Sequence, residues 1–501
     1  MKVRIKKDKK TSIVQGSFYF IIAQLFFLAS GYILHAGLGR LLGPAIYGIF
    51  GIILYLSTIS QDLLRYGLPQ AASKYIAEDN SKFYIIKKKT LKLQLVYSLI
   101  IFFIYFFLSE KIANFLGDIS LANYIKFSAI LIPSCAIFSI YINYLNGLRW
   151  YKKQAIVQFI YSILKILFIF SLLLLLLSTG FEIYGILLGY TLTFIGSSIV
   201  AWFFIRKGKG IWEVKLKEEE RKEENITKRL ITFSIPIIIF YLTLTFILSI
   251  DLFFVKSILH ENELAGFYTA ASTIAKVPFF VLGSLTFALF PAISESTSNK
   301  DLKRTRKYIK ESLRYLSILL VPTIFLTSSN SKEILNIFYS EKYLPAGGAL
   351  SILSIGLGFF TFFLILTSII NASGKPKVSM FFNFILIPIS LSLNFLLIPY
   401  LQLKGAAIAT TFTAFLAFLF SLIYVAKNFK ISLLKIFISL GKVFLISIFI
   451  FFISEEISFV PLILVPVKLI VLFFLSLFLL FLAREIKREE DFERFRSIFH
   501  S

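Results

Sequence analysis

Seven ionisable side chains stand inside or at the edges of long apolar stretches: Asp62, Arg65, Lys165, Asp251, Lys256, Lys276 and Lys468. A charge at the bilayer centre costs about 2.5–3.5 kcal/mol on insertion scales, so it is retained where it lines a polar cavity or has a partner. Asp62 and Arg65, three residues apart on a helix, share a face and can pair. Arg65, Lys165 and Lys276 come from three different apolar segments. Directed into one cavity, they form a cationic lumen suited to a diphosphate or a sugar phosphate. Arg40, at the end of the first segment, either joins this lumen or caps its helix and reaches lipid headgroups. Asp251 either pairs with Lys256, five residues on, or acts as a carboxylate that takes up H+ or Na+ and couples transport to an ion gradient. Asp62 and Lys256 complete this coupling set. Lys468 is expected to snorkel to the interface.

Other chemistries find no residues. Cys135 is the single cysteine, and His35, His260 and His500 lie far apart, so neither a disulfide nor a metal site is expected. No Gly-rich nucleotide loop is present, which argues against ATP-driven transport within the chain. No cofactor and no catalytic residue are expected, and the protein is read as a non-enzyme.

The elements that must position these charges are membrane helices. The 501 residues are 57% hydrophobic and only 16% charged, against roughly 25% charge in soluble domains. Runs such as 172–177 and 477–482 offer no polar face, and they sit in stretches of the ~20 residues needed to cross a hydrocarbon core. The reading is an all-α polytopic membrane protein with about 14 transmembrane helices. These fall near 14–38, 46–72, 91–109, 121–144, 155–178, 183–205, 230–257, 265–291, 309–329, 346–371, 378–399, 404–426, 433–453 and 461–483.

The net charge of +25 could suggest nucleic acid, but its placement assigns it to topology. Alternate loops are basic, and they carry about 42 of the 53 Lys and Arg, against about 6 on the opposite side. That asymmetry puts both termini in the cytoplasm and favours contact with anionic lipid. Nucleic acid is not an expected partner. The basic N-terminus precedes an apolar stretch too long for a cleaved signal peptide, so it is read as the first membrane helix.

The chain is also doubled. Gly39-Arg40-Leu41-Leu42-Gly43-Pro44 followed by Tyr47-Gly48 in the first half matches Lys256-Ser257-Ile258-Leu259 followed by Gly266-Phe267-Tyr268 in the second. Leu68-Pro69 then matches Phe290-Pro291, about 22 and about 23 residues beyond the tyrosines Tyr47 and Tyr268. Asn146-Gly147 with Arg149 corresponds to Asn371-Ala372-Ser373-Gly374 with Lys375, and Tyr184-Gly185 to Lys404-Gly405. Six helices per copy is even, so the copies are parallel repeats about an axis along the membrane normal. The expected domains are a first six-helix lobe (1–206), a charged linker (207–228), a second lobe (229–428), and a helix pair with a basic tail (429–501). The linker's Glu218–Glu224 stretch is expected to form a solvated helix.

The Gly39–Pro44 and Tyr47-Gly48 strings with Gly67-Leu68-Pro69, and Asp251–Val255 with Gly266-Phe267-Tyr268 and Pro291–Glu295, resemble the polysaccharide-exporter branch of the multidrug/oligosaccharidyl-lipid/polysaccharide superfamily. The resemblance spans nearly the whole chain. It implies two lobes in a V shape around a central cavity, alternating access, and movement of a polyprenyl-linked oligosaccharide across the cytoplasmic membrane by a monomeric transporter. The lipid II branch of the superfamily also implies cationic lumen residues: Arg65 and Lys276 sit on the comparable helices, whereas a basic residue early in the first helix is missing here. Lipid II flippases and cation-coupled multidrug or metabolite exporters share the fold, so fold alone does not choose among them. A cation exporter needs an acidic lumen, and the set here is net basic. A membrane-embedded glycosyl transferase or polymerase needs a sizeable outer loop, and the loops here are short.

Overall fold

The computed structural model describes residues 13–207, 225–283, 285–457, 460–483 and 485. The expected linker helix at 218–224, the basic N-terminal residues 2–10 and most of the basic tail lie outside the described residues. Everything regular among the described residues is helix. Twelve helical runs are long and apolar enough to cross a membrane, and two of them, of 57 and 54 residues, are more than twice the ~20 residues one crossing needs.

Both long runs carry a non-helical residue near the middle. Helix α1 (Ile13–Arg65) breaks at Gly43, with φ 71° and ψ 171°, immediately before Pro44. Glycine accepts that positive φ without a Cβ clash, and proline has no N–H to continue the ladder. The second run, Pro376–Phe429, breaks at Gln402 with φ 49° and ψ −127°. The expected fourteen crossings therefore rest on reading each long run as two helices joined at its break.

Contacts group the chain into two compact units, residues 1–36 with 49–246, and residues 37–48 with 247–501. The first unit holds most of α1 together with α2 (Leu68–Glu78), α3 (Phe83–Phe115), α4 (Leu121–Ser128), α5 (Leu131–Gly147), α6 (Tyr151–Leu176), α7 (Glu182–Lys207) and α8 (Asn225–Ile247). The second holds α9 (Ile250–Leu259), α10 (Asn262–Gly283), α11 (Leu285–Ser298), α12 (Leu302–Ser329), α13 (Ser331–Phe338), α14 (Gly347–Ala372), α15 (Pro376–Phe429), α16 (Leu433–Glu456) and α17 (Val465–Leu482). These units do not follow the repeat boundaries at two places, and each has a packing reason.

The first is α8, the opening helix of the second repeat, which packs in the first unit. Its Leu230 forms a buried cluster with Leu68 and Ala71. Gly67, at φ 84°, lies so close to Ile238 that any side chain there would collide. The Tyr66 and Tyr241 rings stack in parallel at 3.6 Å, and Arg229 meets Glu78 at 3.6 Å. Bending at Tyr66–Gly67, with Pro69 opening α2, turns this seam along α8.

The second exception is residues 37–48, the bend of α1, which belongs to the second unit. A Cβ on Gly48 would meet the Asn262 carbonyl and the Gly266 amide, and a Cβ on Gly266 would meet the Pro44 carbonyl. Two glycines from the marker strings of the two repeats thus pack on one another's backbone. Tyr47, Tyr339 and Tyr343 surround this contact with ring centroids 5.1–6.0 Å apart, and the Tyr343 hydroxyl donates to the Gly39 carbonyl at 2.9 Å.

Candidate functional site

In the first unit, Asp62 and Arg65 come from the last turns of α1, and their i,i+3 spacing brings them together at 3.6 Å. The Thr245 hydroxyl of α8 donates to the other Asp62 oxygen at 2.7 Å, and Arg65 donates to Gln61 at 3.3 Å. The Arg65 side chain stays 38% exposed, within electrostatic reach of Cys135 on α5 and Tyr161 on α6. Cys135, buried and unbridged, is thus part of the wall behind Arg65.

Lys165 stands one turn beyond Tyr161 on α6 and is 4% exposed. Its ammonium lies over the Phe27 ring at 4.9 Å and the Tyr161 ring at 5.9 Å, and a Cβ on Gly31 would meet it at 3.7 Å. Cation–π contact of this kind is worth about 0.5–2 kcal/mol, well short of replacing hydration of an ammonium. Among the described residues no carboxylate forms an ion pair with it. Gln24 and Gln158, bonded to each other at 3.0 Å, extend the polar lining along α1 and α6. Arg65 and Lys165 therefore both act on Tyr161.

In the second unit, Asp251 opens α9 just after the chain leaves α8 through the break at Leu248–Ser249. It is 3% exposed and accepts three hydrogen bonds: from the Tyr268 hydroxyl at 2.7 Å, the Thr410 hydroxyl at 2.9 Å and the Leu252 amide at 2.8 Å. Lys276 is the positive charge that acts on it. Lys276 also donates to the Leu248 carbonyl at 3.0 Å, where the end of a helix favours a cation. Tyr268 and Thr410 were not among the residues singled out from the sequence. Tyr268 was noted there only as a repeat marker, and an isolated hydroxyl in an apolar run carries no signal of its own.

Three sequence readings are corrected by this geometry. Lys256 is not the partner of Asp251: it is fully buried and donates to Asn262 Oδ1 at 2.6 Å and to the His260 carbonyl at 3.3 Å, closing the turn into α10. Five residues along a helix is 500° of rotation, which carries Lys256 off the face of Asp251. Arg40 does not cap its own helix. Its guanidinium donates to the Phe338 carbonyl at 3.0 Å and to the Ile337 carbonyl, capping α13 in the second unit. Lys468 does not snorkel, because its ammonium is buried and donates to the Ser454 carbonyl at 2.7 Å near the end of α16.

Long apolar helices with buried cations and a buried, hydroxyl-ligated carboxylate define a multi-pass membrane protein built to handle charge. Comparison with known proteins gives the class a family. The polysaccharide biosynthesis protein family matches residues 13–297, and the MatE family matches residues 236–396. An uncharacterized membrane protein of Methanocaldococcus jannaschii is 28% identical over 298 residues, which is 58% of this chain and 57% of that protein's length. The lipid II flippase MurJ of Bacillus subtilis is 22% identical over 409 residues, covering 74% of each. Among solved structures, lipid II flippase MurJ in an inward closed conformation superposes with a TM-score of 0.68 at 16% identity, over 93% of this chain and 97% of that one. The chain belongs to the polysaccharide biosynthesis protein family, and with it to the superfamily of transporters and flippases that the motifs resemble.

Proposed function

We propose that the protein is an alternating-access flippase that moves a polyprenyl phosphate- or diphosphate-linked oligosaccharide across the cytoplasmic membrane, with both termini in the cytoplasm. One observation carries this reading: Lys165 is a buried ammonium with aromatic faces around it and no carboxylate paired to it among the described residues. Such a group gains most from an anionic ligand, and a phosphate oxygen supplies the hydrogen bonds that Phe27 and Tyr161 do not. Arg65, within electrostatic reach of Tyr161, adds a second donor with planar geometry. Family membership and the likeness to MurJ support a lipid-borne cargo.

Asp251 supplies the coupling step in this reading. A carboxylate held by two hydroxyls can exchange those bonds for a proton or for Na+, whose oxygen ligands the Asp251, Tyr268 and Thr410 side chains would furnish. The match of the MatE family to residues 236–396, which contain Asp251 and Lys276, favours a second reading as a cation-coupled exporter.

Reconstituted proteoliposomes separate the two. Flipping of a fluorescent polyprenyl-diphosphate oligosaccharide, read by quenching of the accessible leaflet, is expected above protein-free vesicles. Uptake of an organic cation is not expected. Cation uptake without glycolipid flipping would replace the flippase reading by the exporter reading.

A further inference from the structure

We infer that the first unit carries a phospholipid site on its outer flank, distinct from the charged residues above. A cavity of about 460 Å³ opens there between α3, α4 and α7, lined by Phe102, Phe106, Lys126, Phe127, Ile130 and Tyr184. That volume falls within the roughly 300–1,000 Å³ of small-molecule pockets.

Its origin lies in one local break. Pro133, the third residue of α5, has no N–H for the Ala129 carbonyl, which accepts from Ile132 at 3.0 Å instead. The chain tightens at this point, with Ala129 bonded to Lys126 and Ile130 to Phe127 at 3.3 Å each. The kink separates α4 from α5 and leaves Ile130 39% exposed, while the Tyr105 and Ser128 hydroxyls tie the α4 end to α3 at 3.0 Å.

The walls are aromatic and braced. Phe102 and Phe106 stack at 5.9 Å along α3, and Tyr184 packs against Phe127 at 5.0 Å and Tyr124 at 5.1 Å. Rings held in this way keep the slot open. At its polar edge the Lys126 ammonium meets Glu110 at 2.6 Å, with side chains 33% and 64% exposed. The end of α3 and the start of α7 place this edge on the side opposite the lysine-rich loops, at the depth where tyrosines and snorkelling lysines meet headgroups.

An apolar slot with a paired donor and acceptor at its mouth is the complement of a zwitterionic glycerophospholipid: one acyl chain lies along Phe102 and Phe106, the phosphate meets the Lys126 ammonium, and the headgroup's own ammonium meets Glu110. The occupant is a phospholipid of that leaflet.

Native mass spectrometry of the delipidated full-length protein, titrated with dioleoylphosphatidylethanolamine, tests this. The wild type is expected to hold one lipid more tightly than the rest. Ile130→Trp, which fills the slot, should weaken that first binding by about tenfold or more at an unchanged melting temperature. Should Ile130→Trp fail to fold, Phe106→Ala removes a wall and should weaken it similarly. Lys126→Gln with Glu110→Gln should weaken the phospholipid but leave oleyl alcohol binding unchanged. Equal first-lipid affinity in wild type and a folded slot variant would overturn the proposal. Displacement of the phospholipid by undecaprenyl phosphate at tenfold lower concentration would also overturn it, since the slot would then belong to the cargo's tail.

Discussion

Among the described residues each unit buries one aspartate near a helix end, and the two are satisfied in opposite ways. Asp62 has one threonine hydroxyl and a half-exposed arginine three residues away on its own helix. Asp251 has three neutral donors drawn from α9, α10 and α15, and a lysine that acts on it from α10. The first arrangement is local and open. The second is assembled from distant segments and closed. A carboxylate beside a guanidinium on its own helix can steady that neighbour, whereas one held by hydroxyls can trade them for a cation. The comparison supports the proposed reading, in which Asp62 positions Arg65 and Asp251 couples.

The sharpest way to break that contrast is the exchange Asp251→Lys with Lys256→Asp. If the two formed a pair, the exchange would preserve stability. Because Tyr268 and Thr410 hold Asp251, and Asn262 holds Lys256, the exchange is expected to leave no folded protein by size exclusion in detergent. A melting temperature near wild type would restore the ion pair and remove Asp251 from coupling.

A smaller effect separates the two acids directly. Asp251→Ala strands two hydroxyls and an ammonium, and should lower stability by about 3–5 kcal/mol, the range for removing one partner of a buried charged network. Asp62→Ala leaves one hydroxyl and a half-exposed guanidinium, so about 1–3 kcal/mol is expected. Denaturation monitored by tryptophan fluorescence gives the order, and an equal loss at both sites would erase the distinction.

The smallest effects come from single hydroxyls. Thr410→Val and Thr245→Val should each cost about 1 kcal/mol of stability. Only Thr410→Val is expected to change the dependence of transport on an imposed Na+ or H+ gradient. A gradient response altered by Thr245→Val alone would move coupling to Asp62.

What could be read from the sequence follows the same division between local and distant. The Asp62–Arg65 pair was legible because a three-residue spacing decides it. The break in α1 was legible because Gly43-Pro44 is written into the chain, and the break at Gln402 falls in the gap between the expected helices 378–399 and 404–426, although nothing about glutamine itself marks a positive φ. Asp251 was visible as a charge, and its partners were not: Tyr268 is 17 residues away and Thr410 is 159, and hydroxyls in apolar runs look alike. Arg40 was placed with the cations by its charge, although its neighbours are carbonyls some 300 residues away that no spacing reveals. The repeat picked out the strings that hold Gly48 and Gly266, yet that these two glycines touch is a fact of packing.

The central claim is that a buried ammonium in the first unit receives the phosphate of a lipid-borne glycan. Its most direct test is the flipping rate of a polyprenyl-diphosphate oligosaccharide by Lys165→Gln and Lys165→Arg in proteoliposomes of matched protein content. Loss of a charged hydrogen bond worth about 1.5–3 kcal/mol predicts a rate for Lys165→Gln lower by about 10- to 100-fold. Lys165→Arg, which keeps the charge, should stay within about threefold of wild type by the same conversion. Wild-type rates for Lys165→Gln at equal reconstitution would contradict the account.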